Sequence, residues 1–266
     1  MQRHARPARL THAGLRLHHQ AQKILNAKGD PETEMRHGGT SSIPLLRVGL
    51  QASIATTLTP GLVSLVQSRF GLRDLTLHAG QSGDHERLPR TKQADLALTS
   101  NPVLDLDGLE RHPILTESVL LVLPPDNTGP DDSLDAIQSQ LPLVRFCDTT
   151  YAGRLIMQHL RRLRFEPDRL IQADRSSMVT SCVSHGVGFS LLTPTLSIDG
   201  MAKNTAMRIP PWPVAGVSRT LTAVARAGEL RDLPAEIARM AKQTLHARGS
   251  DYVGEQGLAA LSGGPG

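Results

Sequence analysis

Aromatic residues are scarce: four Phe, two Tyr and one Trp amount to 3% of the 266 residues. With so few flat π-faces, the chain is a poor platform for stacking unpaired bases, which argues against single-strand nucleic acid binding. Cysteine is scarcer still. Cys147 and Cys182 form neither a CxxC pair nor a disulfide framework, which fits a reducing cytoplasm. No apolar run approaches the roughly 18–20 residues that span a bilayer, so no membrane partner is expected. The basic N-terminus is not followed by the apolar segment of a secretory signal. HExxH and GxSxG are both absent, which removes a zinc-hydrolase centre and a nucleophile elbow. His4, His12, His18 and His19 do not recur at four-residue spacing, so no metal or other cofactor is expected. What remains, 39% hydrophobic and 20% charged, is enough for one or two ordinary cores.

Positive charge is unevenly placed. Arg3, Arg6, Arg9, Arg16, Lys23 and Lys28 are opposed by no acid in residues 1–29, so they more than account for the net +4 of the whole chain. Downstream, 23 basic residues face 25 acidic ones. The N-terminal excess reads either as a solvated start or as the edge of a phosphate-contacting module. The body gives no reason to expect nucleic acid.

Thr11 can cap a helix running to about Ala27, with Leu10, Gly14, Leu17, Ala21 and Ile24 forming a seam of about two heptads. Alone in water such a stretch is too short to be stable, so it calls for a partner helix. Residues 29–42, GDPETEMRHGGTSS, read as a linker. A βαβ pattern follows: a strand at Leu46–Leu50, a helix over Thr57–Phe70 with Pro60 in its first turn, and strands at Asp74–Ala79 and Ala94–Thr99, with a short helix expected within 82–93. Val119–Leu123 reads as a crossover into a second lobe. That lobe holds a strand at Leu143–Phe146 and a helix at Ala152–Leu163. After Pro194 come a loop, the Pro-rich stretch 209–216, a strand at Thr220–Ala225 and a helix over Leu233–Ala247. The Gly-rich residues 249–266 are expected to be a disordered tail.

Residues 169–194, RLIQADRSSMVTSCVSHGVGFSLLTP, carry the most information. The β run Leu170–Ala173 leads into Ser176 and Ser177, then a helix that Gly186 ends, then a strand from Gly188 to Leu192. So short a unit calls for a Ser cap at the helix start and a left-handed Gly at its end. It also sets the helix N-terminus at the carboxyl edge of a parallel sheet, where small ligands bind.

Several segments, in this order, resemble the LysR-type transcriptional regulators. RLTHAGLRLHHQAQKIL (9–25) is similar to the family's wing end and linker helix. RVGLQASIATTLTP (47–60) resembles the first strand and cleft helix of its effector domain, and Gly80 to ADLAL (94–98) keeps the family's spacing. LERHPILTESVLLVLPPD (109–126) resembles a crossover, and GVGFSLLTP (186–194) a G-x-G-x-x-x-L-P segment. The resemblance covers about residues 9–247. It implies an α/β, two-lobed, periplasmic-binding-protein-like effector domain preceded by a linker helix. On that plan residues 1–28 are a wing remnant and dimerisation helix, 29–44 a linker, and 45–248 the effector domain. Lobe I is 45–117 with 218–248, lobe II is 118–217, and 249–266 is the tail. The sequence opens within the wing-like ARPARLTHAG, so the recognition helix is absent from it. Arg3, Arg6 and Arg9 remain as phosphate contacts, which position but do not specify. The expectation is therefore no operator-specific binding by this polypeptide unless an intact helix-turn-helix is supplied upstream.

The same resemblance implies a small effector held between the lobes, self-association as a homodimer or homotetramer, and no catalysis. Ser53, Thr56 and Thr57 lie where strand meets helix; Ser53 matches a family position that often holds Ser or Thr, while Thr57 reads equally as an N-cap. Thr99 and Ser100 end a strand, either on the cleft or in a plain turn before Pro102. Ser176, Ser177 and Met178 open the second-lobe helix. Phe146, Cys147, Asp148 and Thr149 form a variable wall, with Asp148 suited to an amine or hydroxyl. Two opposed helix N-termini favour an anion, each by roughly 0.3–1 kcal/mol, so a carboxylate-bearing metabolite is expected. Cys147 as a redox switch is disfavoured for want of a near resolving cysteine. Ser184 and His185 are adjacent on a helix and point about 100° apart. Trp212 is read as a crossover packing anchor in preference to a dimer contact. A solute-binding protein of the same two-lobed plan is the alternative, disfavoured by the missing export signal and the heptad helix.

Overall fold

A computed structural model describes residues 45–70, 74–80, 93–100, 108–168, 170–200, 206–211, 216–252 and 260–261. The N-terminal helix, Arg3, Arg6, Arg9, the 29–44 linker, residues 82–92 of the expected 82–93 helix and Trp212 lie outside the described residues.

The chain alternates strand and helix: β1 Leu45–Gln51, α1 Ala52–Phe70, β2 Asp74–Gly80, β3 Leu96–Thr99 and β4 Leu109–Ser118. It continues through β5 Leu120–Val122, α2 Leu134–Gln138, β6 Leu143–Phe146, α3 Tyr151–Arg162, β7 Leu170–Ala173 and α4 Ser176–Ser184. β8 Phe189–Leu192, α5 Pro194–Gly200, β9 Ser218–Arg226 and α6 Leu233–Tyr252 complete it. Two sheets result, β2-β1-β3-β9-β4 and β5-β8-β6-β7. In the first, β1 runs parallel to β2 and β3, while β9 is antiparallel to β3 and β4. In the second, β6 is parallel to β7 and β8, and β5 antiparallel to β8.

Each sheet has its own core. In lobe I, Leu46, Val48, Leu50, Leu96 and Leu98 pack with Leu58, Leu62 and Val66 of α1 and Ile237, Ala241 and Leu245 of α6. In lobe II, successive side chains go to opposite faces of the sheet, as the period of two requires. Leu121, Leu143, Phe189 and Leu191 enter one cluster, and Leu120, Val122, Val144 and Leu192 the other. Burial on both faces is why these strands read as continuous apolar runs.

Both crossovers run side by side. Glu117 lies opposite Arg219 where β4 pairs with β9, Val119 N–H donates to Val217 O at 2.8 Å, and Leu123 bridges Arg208. At this junction Arg219 Nε donates to Glu117 Oε1 at 2.7 Å, and neither side chain has exposed surface. Arg219 Nη2 reaches Thr193 Oγ1 at 2.9 Å and Thr195 Oγ1 at 3.0 Å. Thr195 N–H and Oγ1 donate to the two Glu117 oxygens, at 3.0 and 2.8 Å. A buried ion pair in the lobe I sheet thus holds the start of α5.

Several expectations shift. α1 begins at Ala52, directly after β1, so Ser53, Thr56 and Thr57 are helical and Pro60 is interior, not in the first turn. The stretch after Pro194 is a short, buried helix and not a loop. It packs on α4 of its own lobe and on α1 and α6 of the other. β4 is a ten-residue strand that ends lobe I, where the sequence shows only a crossover. α6 continues to Tyr252, into the span read as tail, and Ala260–Leu261 is helical. Leu261 is 1% exposed within the lobe I core, and Ala260, 8% exposed, belongs to a lobe II cluster.

α3 starts at a tight turn. Thr150 Oγ1 caps it, accepting the Gly153 N–H at 2.9 Å. A methyl on Gly153 would overlap the carbonyl oxygens of Phe146 and Cys147, which are backbone and cannot swing aside. Gly153→Ala is expected to cost about 1–2 kcal/mol, read as a lower urea midpoint at unchanged slope.

Candidate functional site

Three parallel strands, β1, β6 and β7, each hand over to a helix at their carboxyl ends. The N-terminal turns of α1, α3 and α4 therefore open on one cleft between the lobes, of about 450 Å³. That volume suits a small organic ligand. Lobe I contributes Gln51, Ser53, Thr56 and Gly80; lobe II contributes Phe146, Tyr151, Arg175, Ser176 and Ser177, and α5 adds Leu196 and Asp199. Free N–H groups at helix starts favour negative charge. α4 is more open than α3, which Thr150 caps: its N-cap is Arg175, in an extended conformation, and no side chain caps it. Ser176 is thus the first helical residue and not the expected cap. Gly186, at φ +76°, ends this helix in the left-handed conformation as its position requires.

The charge of the lining is mixed. Arg175 is its one base among the described residues, against Asp174 and Asp199. Burial pushes the Asp199 carboxyl above the ordinary aspartate range, partly offset by a hydrogen bond from Ser176. No lysine, arginine or histidine among the described residues pairs with it. Thr180 Oγ1, 2.7 Å from Gly200 O and 3.0 Å from Ser176 O, ties α4 to the end of α5 and so keeps Asp199 beside Ser176. On the other wall Gln51 is 6% exposed, and its Oε1 has no donor among the described residues. Ser53 is buried beneath the same wall, its Oγ 3.5 Å from Arg219 Nη2, which links the cleft to the crossover ion pair.

A two-lobed α/β chain with its cleft at the strand ends matches one family description, the LysR substrate binding domain, over residues 41–243. The chain belongs to the LysR substrate-binding family. No curated protein matches it in sequence. Among solved structures, a cysteine mutant of OxyR from Corynebacterium glutamicum is similar at TM-score 0.66 and 20% identity, over 93% of this chain and 79% of that one. Full-length OxyR from Pseudomonas aeruginosa, also a cysteine variant, gives TM-score 0.62 and 17% identity over 89% and 81%. The bromide-bound regulatory domain of HypT from Salmonella typhimurium gives 0.59 and 15% over 79% and 100%. These likenesses establish a shared LysR fold, of the periplasmic-binding-protein-like kind expected from the sequence.

Within this LysR domain, Ser53, Thr56, Phe146, Ser176 and Ser177 all reach the cleft. Thr57 and the buried Thr99 and Ser100 lie off its lining, as does the half-exposed Met178. Asp148 is turned away and held by Arg145, at 2.8 Å (Nη1–Oδ1) and 3.1 Å (Nη2–Oδ2); that guanidinium lowers its pKa. Cys147 Sγ sits 2.9 Å from Thr149 Oγ1, and neither residue is on the lining. Cys147 and Cys182 are both free thiols. Ser184 Oγ lies 3.3 Å from His185 Nδ1, closer than adjacent helical positions suggest, but that nitrogen also lies 2.8 Å from Ser181 O. A ring nitrogen that donates to a carbonyl has no lone pair to activate serine. Gln51, Tyr151 and Arg175 were missed. Each lies within two residues of a recognised strand end or helix start, so extending the strand-end argument finds them. Asp199 had no such signal, since α5 looked like loop.

Proposed function

We propose that this chain is the sensing part of a LysR-type transcriptional regulator, in which a carboxylate-bearing metabolite binds between the lobes and is not transformed. The supporting observation is the convergence of three helix N-termini, with Ser53 and Ser176 from opposite lobes, on one cleft. Binding shifts the balance between lobe arrangements. On this reading the helix expected from the sequence over residues 10–27 pairs two copies and passes that shift on to DNA binding, and the regulator works in the cytoplasm as a homodimer or homotetramer. Among the described residues no helix is long and apolar enough to cross a membrane.

A thermal-shift screen of carboxylate metabolites, followed by calorimetry, tests the reading. Ser53→Ala and Ser176→Ala are each expected to weaken the best ligand about tenfold or more, the scale of one hydrogen bond to a charged group. NMR of the incubated ligand should show it unchanged. Full affinity in both variants, or steady conversion of the ligand, would remove the proposal.

A further inference from the structure

We propose that the cleft takes a zwitterionic ligand of amino-acid type, its carboxylate against the helix N-termini and its ammonium against the Asp199 carboxylate and Gln51 Oε1. This rests on the interlobe cleft being the effector site, and goes further by naming a second, cationic pole.

Helix N-termini and serine hydroxyls select an anion of any kind, a hydroxy acid as readily as an amino acid. Two features of the lining ask for something else. Gln51 Oε1 is a buried acceptor that no group among the described residues satisfies, and such orphans in folded proteins call for a partner. Gln51 lines the cleft, so a ligand supplies the missing donor once the amide turns toward the cavity. Asp199 is the second feature. An ionised carboxylate has room for about four hydrogen bonds, yet the Ser176 hydroxyl is the one donor that bears on its protonation. With no cation beside it, the half-buried charge is uncompensated, and burial already pushes the group toward its neutral form. Asp174 adds a second negative charge to the same lining.

A ligand that is only an anion meets Asp199 as a like charge. A ligand that is only a cation wastes the exposed N–H groups of α4. A hydroxyl in place of the ammonium would satisfy Gln51 but leave Asp199 unneutralised. An ammonium close to a carboxylate on one small molecule answers every group: N–H donors for Gln51, a positive charge for Asp199, and an anion for Ser176 and the α4 start.

The test uses the whole chain and two matched pools of probes: common L-amino acids, and the same compounds with the 2-amino group replaced by hydroxyl. Thermal shift identifies the active members, and calorimetry measures each pair. At least one amino acid is expected to raise the melting temperature, with its hydroxy counterpart at least tenfold weaker. Asp199→Asn should abolish that preference by weakening the amino acid tenfold or more while sparing the hydroxy acid. Ser176→Ala should weaken both. Because Asp199→Asn replaces a half-buried charge with a neutral side chain of the same shape, the free variant is expected to melt no lower than the parent. Equal binding of amino and hydroxy acids, or a preference that survives Asp199→Asn, overturns the cationic pole; the cleft reading still stands if Ser176→Ala weakens both. Binding that ignores both substitutions sinks the cleft reading as well. No shift from the amino-acid pool overturns the amino-acid assignment.

Discussion

Replacing Glu117 by alanine is expected to lower the unfolding free energy by about 3–5 kcal/mol, the cost of leaving one member of a buried ion pair alone. The arrangement leaves little room for relief. Arg219 Nη1 already has no partner among the described residues. Nε would lose its contact at 2.7 Å, and the Thr195 N–H and hydroxyl would lose their acceptors at 3.0 and 2.8 Å. Neither member of the pair is exposed, so water cannot take the place of the carboxylate without opening the crossovers. Urea unfolding followed by circular dichroism reads the effect, and a loss under about 1 kcal/mol would show the pair to be dispensable. Converting both partners, Glu117→Leu with Arg219→Met, separates stability from lobe coupling. Buried pairs replaced by apolar residues of similar size often lose no stability. The double variant is therefore expected to unfold above Glu117→Ala but below the parent midpoint, because the buried Thr195 N–H and hydroxyl still lose their acceptors, while α5 loses its polar tie to the lobe I sheet.

Leu261→Ala is expected to cost about 2 kcal/mol or more, within the range for a buried leucine. Leu261 is packed in the lobe I core and Ala260 in a lobe II cluster, so two adjacent residues beyond α6 touch both lobes. Ending the chain after Tyr252 should cost at least as much as Leu261→Ala. An unchanged midpoint in both variants would mean the segment contributes nothing to the cores.

How far the fold was legible depended on burial. β6 and β7 fall on the residues expected, because short runs such as Leu143–Phe146 are bounded by Pro142 and polar Asp148 and match the length of a buried strand. α1 was placed five residues late because Ser53, Thr56 and Thr57 are good caps and Pro60 is a good first-turn residue. Tertiary packing of Ile54 and Leu58 into the lobe I core carries the helix through them. Thr56, whose carbonyl loses its Pro60 donor, is an exposed residue on the cleft. β4 was hidden by Glu110, Arg111 and Pro113, which break the alternation; the pairing register indeed shifts at Pro113/Leu115. α5 was hidden by Thr, Ser, Asp and Gly, which have the composition of a turn. Its burial comes from α1, α4 and α6, and none of that is local in sequence. The cleft followed the same division: the residues at helix starts were readable, and Asp199 was not.

The placing of α5 has a mechanical consequence. It is the axle of the molecule: mounted in one half, seated against two helices of the other, and bolted at its base by Glu117 and Arg219. Wide gaping of the halves would pull that bar out of its bearing, whereas rotation about it breaks far fewer contacts. On the proposed reading, a molecule bound between the lobes would be reported outward chiefly as torsion.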